Sequence, residues 1–240
     1  ETLHPADPRA TSSQFMDAKK REIKGLMNKN TWKIVDKETI PKDANILNGR
    51  FVLTIKNANS DGEICKARYV VQGHKDREKS LLVHNSTTVR QSSTRLIMAL
   101  AATFGFRIWS QDVKQAYLQS SDNLMRQVFL RPSKEFELPP GKLLKLQKPL
   151  YGLADSGDYW YNTMSKHIKD DIGMKSTTGD MSFFYKHIGN NLVGLTGTYV
   201  DDSLLAGNLE FEKLTKTTMD KFESRDREMD NTKFAGVNIT

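Results

Sequence analysis

The sequence predicts an α+β fold, an antiparallel sheet backed by helices, and three observations predict it. Residues 106–112 form an apolar run (Phe106, Ile108, Trp109) that ends on an acid, Asp112, and reads as a strand delivering a carboxylate. Residues 195–207 read Leu-Thr-Gly-Thr-Tyr-Val-Asp-Asp-Ser-Leu-Leu-Ala-Gly. Here two short β-favouring runs flank Asp201 and Asp202, the pattern of a hairpin with two acids at its tip. Apolar residues at helical spacing recur between the β-favouring runs. One distant and two adjacent carboxylates can meet only if the strand ending at Asp112 lies beside the hairpin. Helices packed on one face of an antiparallel sheet accomplish that.

Two adjacent carboxylates repel, and ionising both costs energy unless a cation sits between them. Mg²⁺ suits such a pair, because it takes hard oxygen ligands and leaves room for substrate phosphates. A solvated turn gives the same two letters, since Asp is a common turn residue.

The 240 residues suffice for a sizeable core in one domain or two subdomains, and a composition of 38% hydrophobic and 27% charged residues is globular. No apolar run approaches the ~20 residues of a membrane helix, and the N-terminus lacks a signal-peptide pattern. The net charge of +7 fits a phosphate-handling protein, and equally a generic basic surface. A single cysteine, Cys65, excludes an internal disulfide and a Cys-rich zinc site, and none of the five histidines has zinc-ligand spacing.

In chain order, residues 1–11 are polar and irregular. Ser12 or Ser13 caps a helix to about Met27, with Phe15, Ile23, Leu26 and Met27 on one face. Residues 30–35 enter a strand. Residues 50–56 and 64–72 read as paired strands, with the turn at Asn59, Ser60, Asp61 and Gly62. Lys56, Lys66 and Arg68 sit at or near alternating positions, so several share a face. Such a basic ribbon suits a triphosphate or a nucleic-acid backbone, and solvated lysines on an edge strand give the same pattern. Residues 73–91 read as loop. Ser92 or Ser93 opens a helix to about Phe104, with Leu96, Ile97, Leu100 and Ala101 inward, and Gly105 ends it. Residues 128–131 form a short strand, and Pro139-Pro140-Gly141 break the chain. Ser156 caps a helix to Ile172, stopped at Gly173, with Trp160, Met164, His167 and Ile168 as its apolar stripe. Residues 182–187 and 192–200 are the hairpin strands leading to the acids. Asn208 begins a helix to about Phe222 that buries Phe211, Leu214 and Phe222.

Three segments taken in order carry a resemblance. They are Asp112-Val-Lys-Gln-Ala-Tyr117-Leu, the run Leu150-Tyr151-Gly152-Leu153 followed by Trp160-Tyr161, and Tyr199-Val200-Asp201-Asp202. Together they resemble the reverse transcriptase of copia-type (Ty1/copia) retrotransposons, from about Phe15 to Ile239. The resemblance implies a polymerase right hand, with an N-terminal extension and helix in 1–29 and fingers in 30–91. A palm with part of the fingers fills 92–240 and ends at a primer-grip-like segment. It implies no thumb and no ribonuclease H domain in this length.

The implied activity is RNA-directed DNA polymerisation: dNTPs, a primer on an RNA or DNA template, and two Mg²⁺ or Mn²⁺ ions. The implied location is intracellular, in the cytoplasm (virus-like particles included) or the nucleus. Asp112 and Asp201 would be the principal metal ligands and Asp202 the peripheral one. Lys56, Lys66 and Arg68 would contact the triphosphate from the fingers. Gln115 and Ala116 would offer it backbone amides, with Tyr151 and Gly152 also in the nucleotide site. Tyr117 would crowd the sugar 2′ carbon, and Tyr199, Val200, Phe234 and Gly236 would lie near primer and template. One stretch departs from the family pattern. Many members follow Leu-Tyr-Gly-Leu with Lys-Gln-Ala-Pro-Arg, whereas Ala154-Asp155-Ser156-Gly157-Asp158 stand here, so two bases are lost and two acids appear. A catalytically inactive remnant that binds nucleic acid, and a two-metal nuclease, are the alternative readings.

Overall fold

The structure, a computed structural model, describes every residue except 5, 59–61, 83–86 and 240. In chain order the elements are α1 (Ser13–Asn28), β1 (Trp32–Asp36), β2 (Asn45–Lys56), β3 (Ile64–Val71), α2 (Gln91–Phe104), β4 (Arg107–Asp112), β5 (Val128–Arg131) and β6 (Lys142–Leu146). Then follow α3 (Ser156–Lys166), β7 (Lys175–Ser176), β8 (Phe183–Ile188), β9 (Asn191–Tyr199), β10 (Asp202–Gly207), α4 (Leu209–Leu214), α5 (Lys216–Lys221), β11 (Glu228–Met229), β12 (Thr232–Phe234) and β13 (Val237–Ile239). The chain divides into two compact units, Glu1–His84 with Asp122–Ser156, and Asn85–Ser121 with Gly157–Thr240. Among the described residues no helix is long and apolar enough to cross a membrane.

The first unit is built on a five-stranded sheet in the order β1-β6-β5-β2-β3. Its pairs are antiparallel except β2 with β5, which is parallel. That parallel pairing extends β2 back to Asn45, five residues before the start expected from the sequence. Ser12 caps α1 by accepting from the Phe15 N–H. The helix lays Phe15 and Ala18 against Leu53, Ile55 and Ala67. Met27, expected on the same buried face, is exposed, because it lies one position round the helix from Leu26. The expected turn residues Asn59, Ser60 and Asp61 lie outside the described residues.

The second unit is built on an antiparallel six-stranded sheet in the order β11-β4-β10-β9-β8-β7. Helices cover both of its faces, not one as the sequence reading expected. Leu204 and Ala206 pack with Ile97 and Ala101 of α2 and with Phe234 and Ile239. Leu205, pointing the other way, packs with Trp160, Met164 and Phe211 on the α3 and α4 side. Double coverage explains why β9 and β10 are buried along nearly their whole length instead of alternating. Gly194 belongs to this packing: a Cβ there would lie 2.1 Å from the Phe211 ring.

Two expected helices change form. The helix from Ser156 ends as α3 at Lys166 and continues as a π-helical turn, His167–Asp171. The single helix expected over 208–222 is two, α4 and α5, broken at Thr215. The buried Thr215 hydroxyl donates back to the Phe211 carbonyl and accepts from Arg227, which stops the regular ladder. On α2 the buried stripe is Ser93, Ile97 and Ala101, and Leu96 is turned outward.

Candidate active site

The carboxylate cluster lies in the second unit. β4 and β10 pair antiparallel with Asp112 opposite Asp202, and β10 and β9 pair with Asp202 opposite Tyr199. Only Val200 and Asp201 therefore remain to turn the hairpin. Val200 has φ +55°, and Asp201 is not among the positive-φ residues. Those signs match a two-residue type II′ turn, whose first central residue has positive φ. Glycine is the usual occupant, and a β-branched residue there is strained. The tip is held from two sides. The buried Trp160 indole donates to the Val200 carbonyl at 2.6 Å, and the Val113 N–H donates to the Asp201 carbonyl at 2.8 Å.

Each acid has a distinct setting. Asp202 Oδ2 accepts the Ala235 N–H at 2.9 Å from the turn between β12 and β13. Burial pushes the Asp202 carboxyl up to about 6; the like charges of Asp112 and Asp201 add to that rise, and the Ala235 amide opposes it. Asp112 Oδ1 lies 3.3 Å from Arg225 Nε. Tyr117 is half-buried against the core, and its hydroxyl is pushed up by burial and by the Asp201 charge.

Gln115 is left-handed at φ +47° and opens the 3-10 turn Ala116–Gln119, in which Ala116 is buried. Tyr199 is exposed and stands edge-on to Phe234, with ring centroids 6.5 Å apart. The two-residue turn after Phe234 uses Ala235 at φ +47° and Gly236 at φ +86°. Asp112, Asp201, Asp202, Tyr117, Gln115, Ala116, Tyr199, Val200, Phe234 and Gly236 thus all belong to this unit.

Lys56, Lys66, Arg68, Tyr151 and Gly152 belong to the first unit. The β2–β3 register pairs Lys56 with Ile64, Thr54 with Lys66, Val52 with Arg68 and Arg50 with Val70. Paired residues point to the same face, so Lys56, Lys66 and Arg68 share one face with Arg50. The sequence reading did not single out Arg50, although its even-numbered alternation with Lys56 was the available signal. Arg68 lies over the Tyr151 ring, 6.0 Å from its centroid, at cation–π distance. Gly152 has φ +92°, and a Cβ there would lie 2.0 Å from the Val71 carbonyl oxygen, so glycine is required for this close backbone approach.

The departure at residues 154–158 has a structural partner. Asp155 is buried and takes Arg126 through two contacts of 2.8 and 3.0 Å. The same guanidinium reaches Asp76 at 2.7 Å and Glu78 at 3.0 Å, and Asn45 donates to Asp76. Arg126 was not singled out from the sequence, because its three acids are 29 to 50 residues away.

The donor chemistry at Asp112, Asp201 and Asp202 suits a hard divalent cation: three carboxylates, of which Asp202 is raised first by burial and further by the charges of the other two. Among the described residues no group of three or more His, Cys, Asp and Glu side chains is placed to hold a metal ion.

Helices on both faces of an antiparallel sheet, with acids at one end of its central strands, define an α+β protein. Over residues 29–240 the chain matches the reverse transcriptase (RNA-dependent DNA polymerase) family, and it belongs to that family. It is 29% identical over 215 residues to the retrovirus-related Pol polyprotein from transposon TNT 1-94 of Nicotiana tabacum, covering 86% of this chain and 15% of that protein. It is 28% identical over 230 residues to the Pol polyprotein from transposon RE1 of Arabidopsis thaliana, covering 92% and 15%. It is 30% identical over 216 residues to the Ty1-DR5 Gag-Pol polyprotein of Saccharomyces cerevisiae, covering 87% and 11%. The chain thus spans 11–15% of the length of these relatives. A foamy viral protease-reverse transcriptase solved with double-stranded DNA aligns with a TM-score of 0.47 at 11% identity, over 88% of this chain and 29% of that one.

Proposed function

We propose that this chain is the nucleotidyl-transfer core of an RNA-directed DNA polymerase of a copia-type retrotransposon, extending a primer with dNTPs on an RNA or DNA template inside the cell. The observation that carries this reading is the pairing of Asp112 with Asp202 beside Asp201 in a strained two-residue turn. In this reading the six-stranded sheet is the palm and the first unit belongs to the fingers of the right hand.

Asp112 and Asp201 would be the principal ligands, and Asp202 the peripheral one, of two Mg²⁺ or Mn²⁺ ions. Bound there, such ions would make the primer hydroxyl more acidic and would offset the negative charge of the triphosphate. The chain's own residues do the positioning. Trp160 and Val113 hold the turn, so that Asp201 is fixed before substrate arrives. The Ala235 amide orients Asp202. Tyr117, within electrostatic reach of Asp201, crowds the sugar 2′ carbon. Gln115 and Ala116 turn backbone amides toward the triphosphate, Tyr199 and Val200 border the primer end, and Phe234 and Gly236 support it. The basic face of Lys56, Lys66 and Arg68, with the Tyr151 ring under Arg68 and Gly152 next to it in the chain, takes phosphate.

One second reading has an observation in its favour. Ala154 and Asp158 stand where many family members carry Lys and Arg, so two positive charges are lost just after Leu150-Tyr151-Gly152-Leu153. This favours a polymerase-like remnant that binds nucleic acid without extending a primer. Primer extension on poly(rA)/oligo(dT), with and without Mg²⁺, separates the two. The polymerase reading expects Mg²⁺-dependent extension that Asp201→Asn abolishes while the melting curve is kept. Extension by that variant at the wild-type rate would overturn the site assignment.

A further inference from the structure

Arg225 reaches Asp112 from the segment between α5 and β11. Its backbone N–H donates to the Asp112 carbonyl at 2.9 Å, and the preceding residue, Ser224, bridges to Val113. These main-chain contacts pin the residue beside the end of β4 whatever side chain it carries. The side-chain contact is of another kind. A single Nε lies 3.3 Å from Oδ1, with the arginine side chain 56% exposed and the carboxylate 34% exposed. One long contact between half-exposed groups holds weakly, because such ion pairs contribute little net stability.

We propose that Arg225 is an internal counter-ion seated on Asp112, which an incoming divalent cation must displace or overcome, so that Arg225 sets how much cation the site requires. This rests on the reading of Asp112 as a cation ligand.

The charge balance supports the assignment. With Asp112, Asp201 and Asp202 gathered at one end of the sheet, the guanidinium brings one positive charge to a group of three acids. The same positive charge then opposes a divalent ion approaching Asp112. Arg227 donates to the Glu212 carbonyl and to Thr215, and Lys114 lies 3.8 Å from Glu223.

The test is Mn²⁺ titration followed by electron paramagnetic resonance of the free ion, on the whole chain at low ionic strength. The proteins are wild type, Arg225→Ala, Lys114→Ala and Asp112→Asn, each checked by thermal melting. Arg225→Ala should bind Mn²⁺ about tenfold tighter, the order expected for removing one charge a few ångströms from a divalent ion in water. Lys114→Ala removes the same charge two residues from Asp112 without touching it and should move the affinity by less than about threefold. If Arg225→Ala melts below the assay temperature, Arg225→Gln gives the same readout with the side-chain length kept. Unchanged affinity in the Arg225 variant, with binding lost in Asp112→Asn, overturns the counter-ion role and leaves the cation site standing. Equal tightening by Lys114→Ala overturns it as well, since any nearby charge then serves. Binding that Asp112→Asn does not weaken overturns the cation reading itself, and this proposal with it.

Discussion

Asp202 lies directly opposite Asp112 on the neighbouring antiparallel strand, and its carboxyl is pushed up to about 6 by burial and by the charges of Asp112 and Asp201. In the unfolded chain an aspartate titrates near 3.9. Between about pH 4 and 6 the folded state therefore binds the extra proton, stability falls as pH rises through this window, and the penalty is complete above it. Asp202→Asn removes the charge and keeps an acceptor for the Ala235 amide. Without divalent ions it should raise stability at pH 7 by about 1–2 kcal/mol, discounted for solvent screening. The gain should vanish below about pH 4. Urea denaturation at the two pH values checks this, and a variant less stable than wild type at pH 7 would contradict it.

The Arg126 cluster should be among the costliest charges to disturb. Burial raises Asp76, and the Arg126 guanidinium, Asn45 and the Glu78 N–H more than offset that. Arg126→Ala leaves Asp76 and Asp155 buried without their counter-charge and should cost about 3–5 kcal/mol. Asp155→Asn keeps the shape and should cost less. Equal urea midpoints for wild type and Arg126→Ala would show that the cluster contributes nothing.

Tyr117→Val separates a sugar gate from a packing residue. The ring is only partly buried against the core on the α3 and α4 side, so truncation should cost about 1–3 kcal/mol rather than the larger loss of a fully enclosed aromatic. The expected outcome is retained dNTP use with raised rNTP incorporation, since discrimination by a clash ends when the ring is gone. The ratio of kcat/KM for dNTP over rNTP is the measurement. An unchanged ratio with both rates lowered would assign Tyr117 to packing.

Nucleic-acid binding should be mainly electrostatic and should run through the β2–β3 face. Arg50, Lys56, Lys66 and Arg68 share that face. Each phosphate contact adds about 0.7–0.9 to the slope of log affinity against log salt. Arg50→Ala and Arg68→Ala should each flatten the slope by about that much in fluorescence anisotropy. A slope unchanged in both variants would move binding to another surface.

His167 should give the fold a mild acid sensitivity. It is buried, with Nδ1 2.7 Å from Asp171 and Nε2 2.9 Å from the Thr218 hydroxyl. Burial holds its pKa below the usual histidine value, with the Asp171 hydrogen bond opposing that. The unfolded chain therefore takes up the proton first, so stability falls as pH drops below about 6.5 toward the lower folded value. His167→Gln should flatten melting temperature against pH in this range. An identical profile would rule His167 out as the source.

The strand ends and the turn that carry the three carboxylates were legible because local pattern carries them. An apolar run ending on Asp112 and a β-favouring pair of runs around Asp201 and Asp202 fix strand ends and turn without reference to the rest of the chain. The alternation that put Lys66 and Arg68 on one face is equally local. Helix spacing found α1 and α2 but placed Met27 and Leu96 on the wrong side, because the width of a buried stripe depends on the sheet beneath it. What tertiary structure alone decided are relationships across long stretches of chain. The parallel pairing with β5 lengthened β2. The Arg227 contact joined in breaking the last helix at Thr215, and packing on both sides buried β9 and β10. Arg126 met acids 29 and 50 residues away, and Arg225 came to rest on Asp112. Charge and periodicity in a sequence state what each residue requires. Which residue meets that requirement is set by which surfaces the packed core brings within a few ångströms, and a one-dimensional pattern holds no such distance.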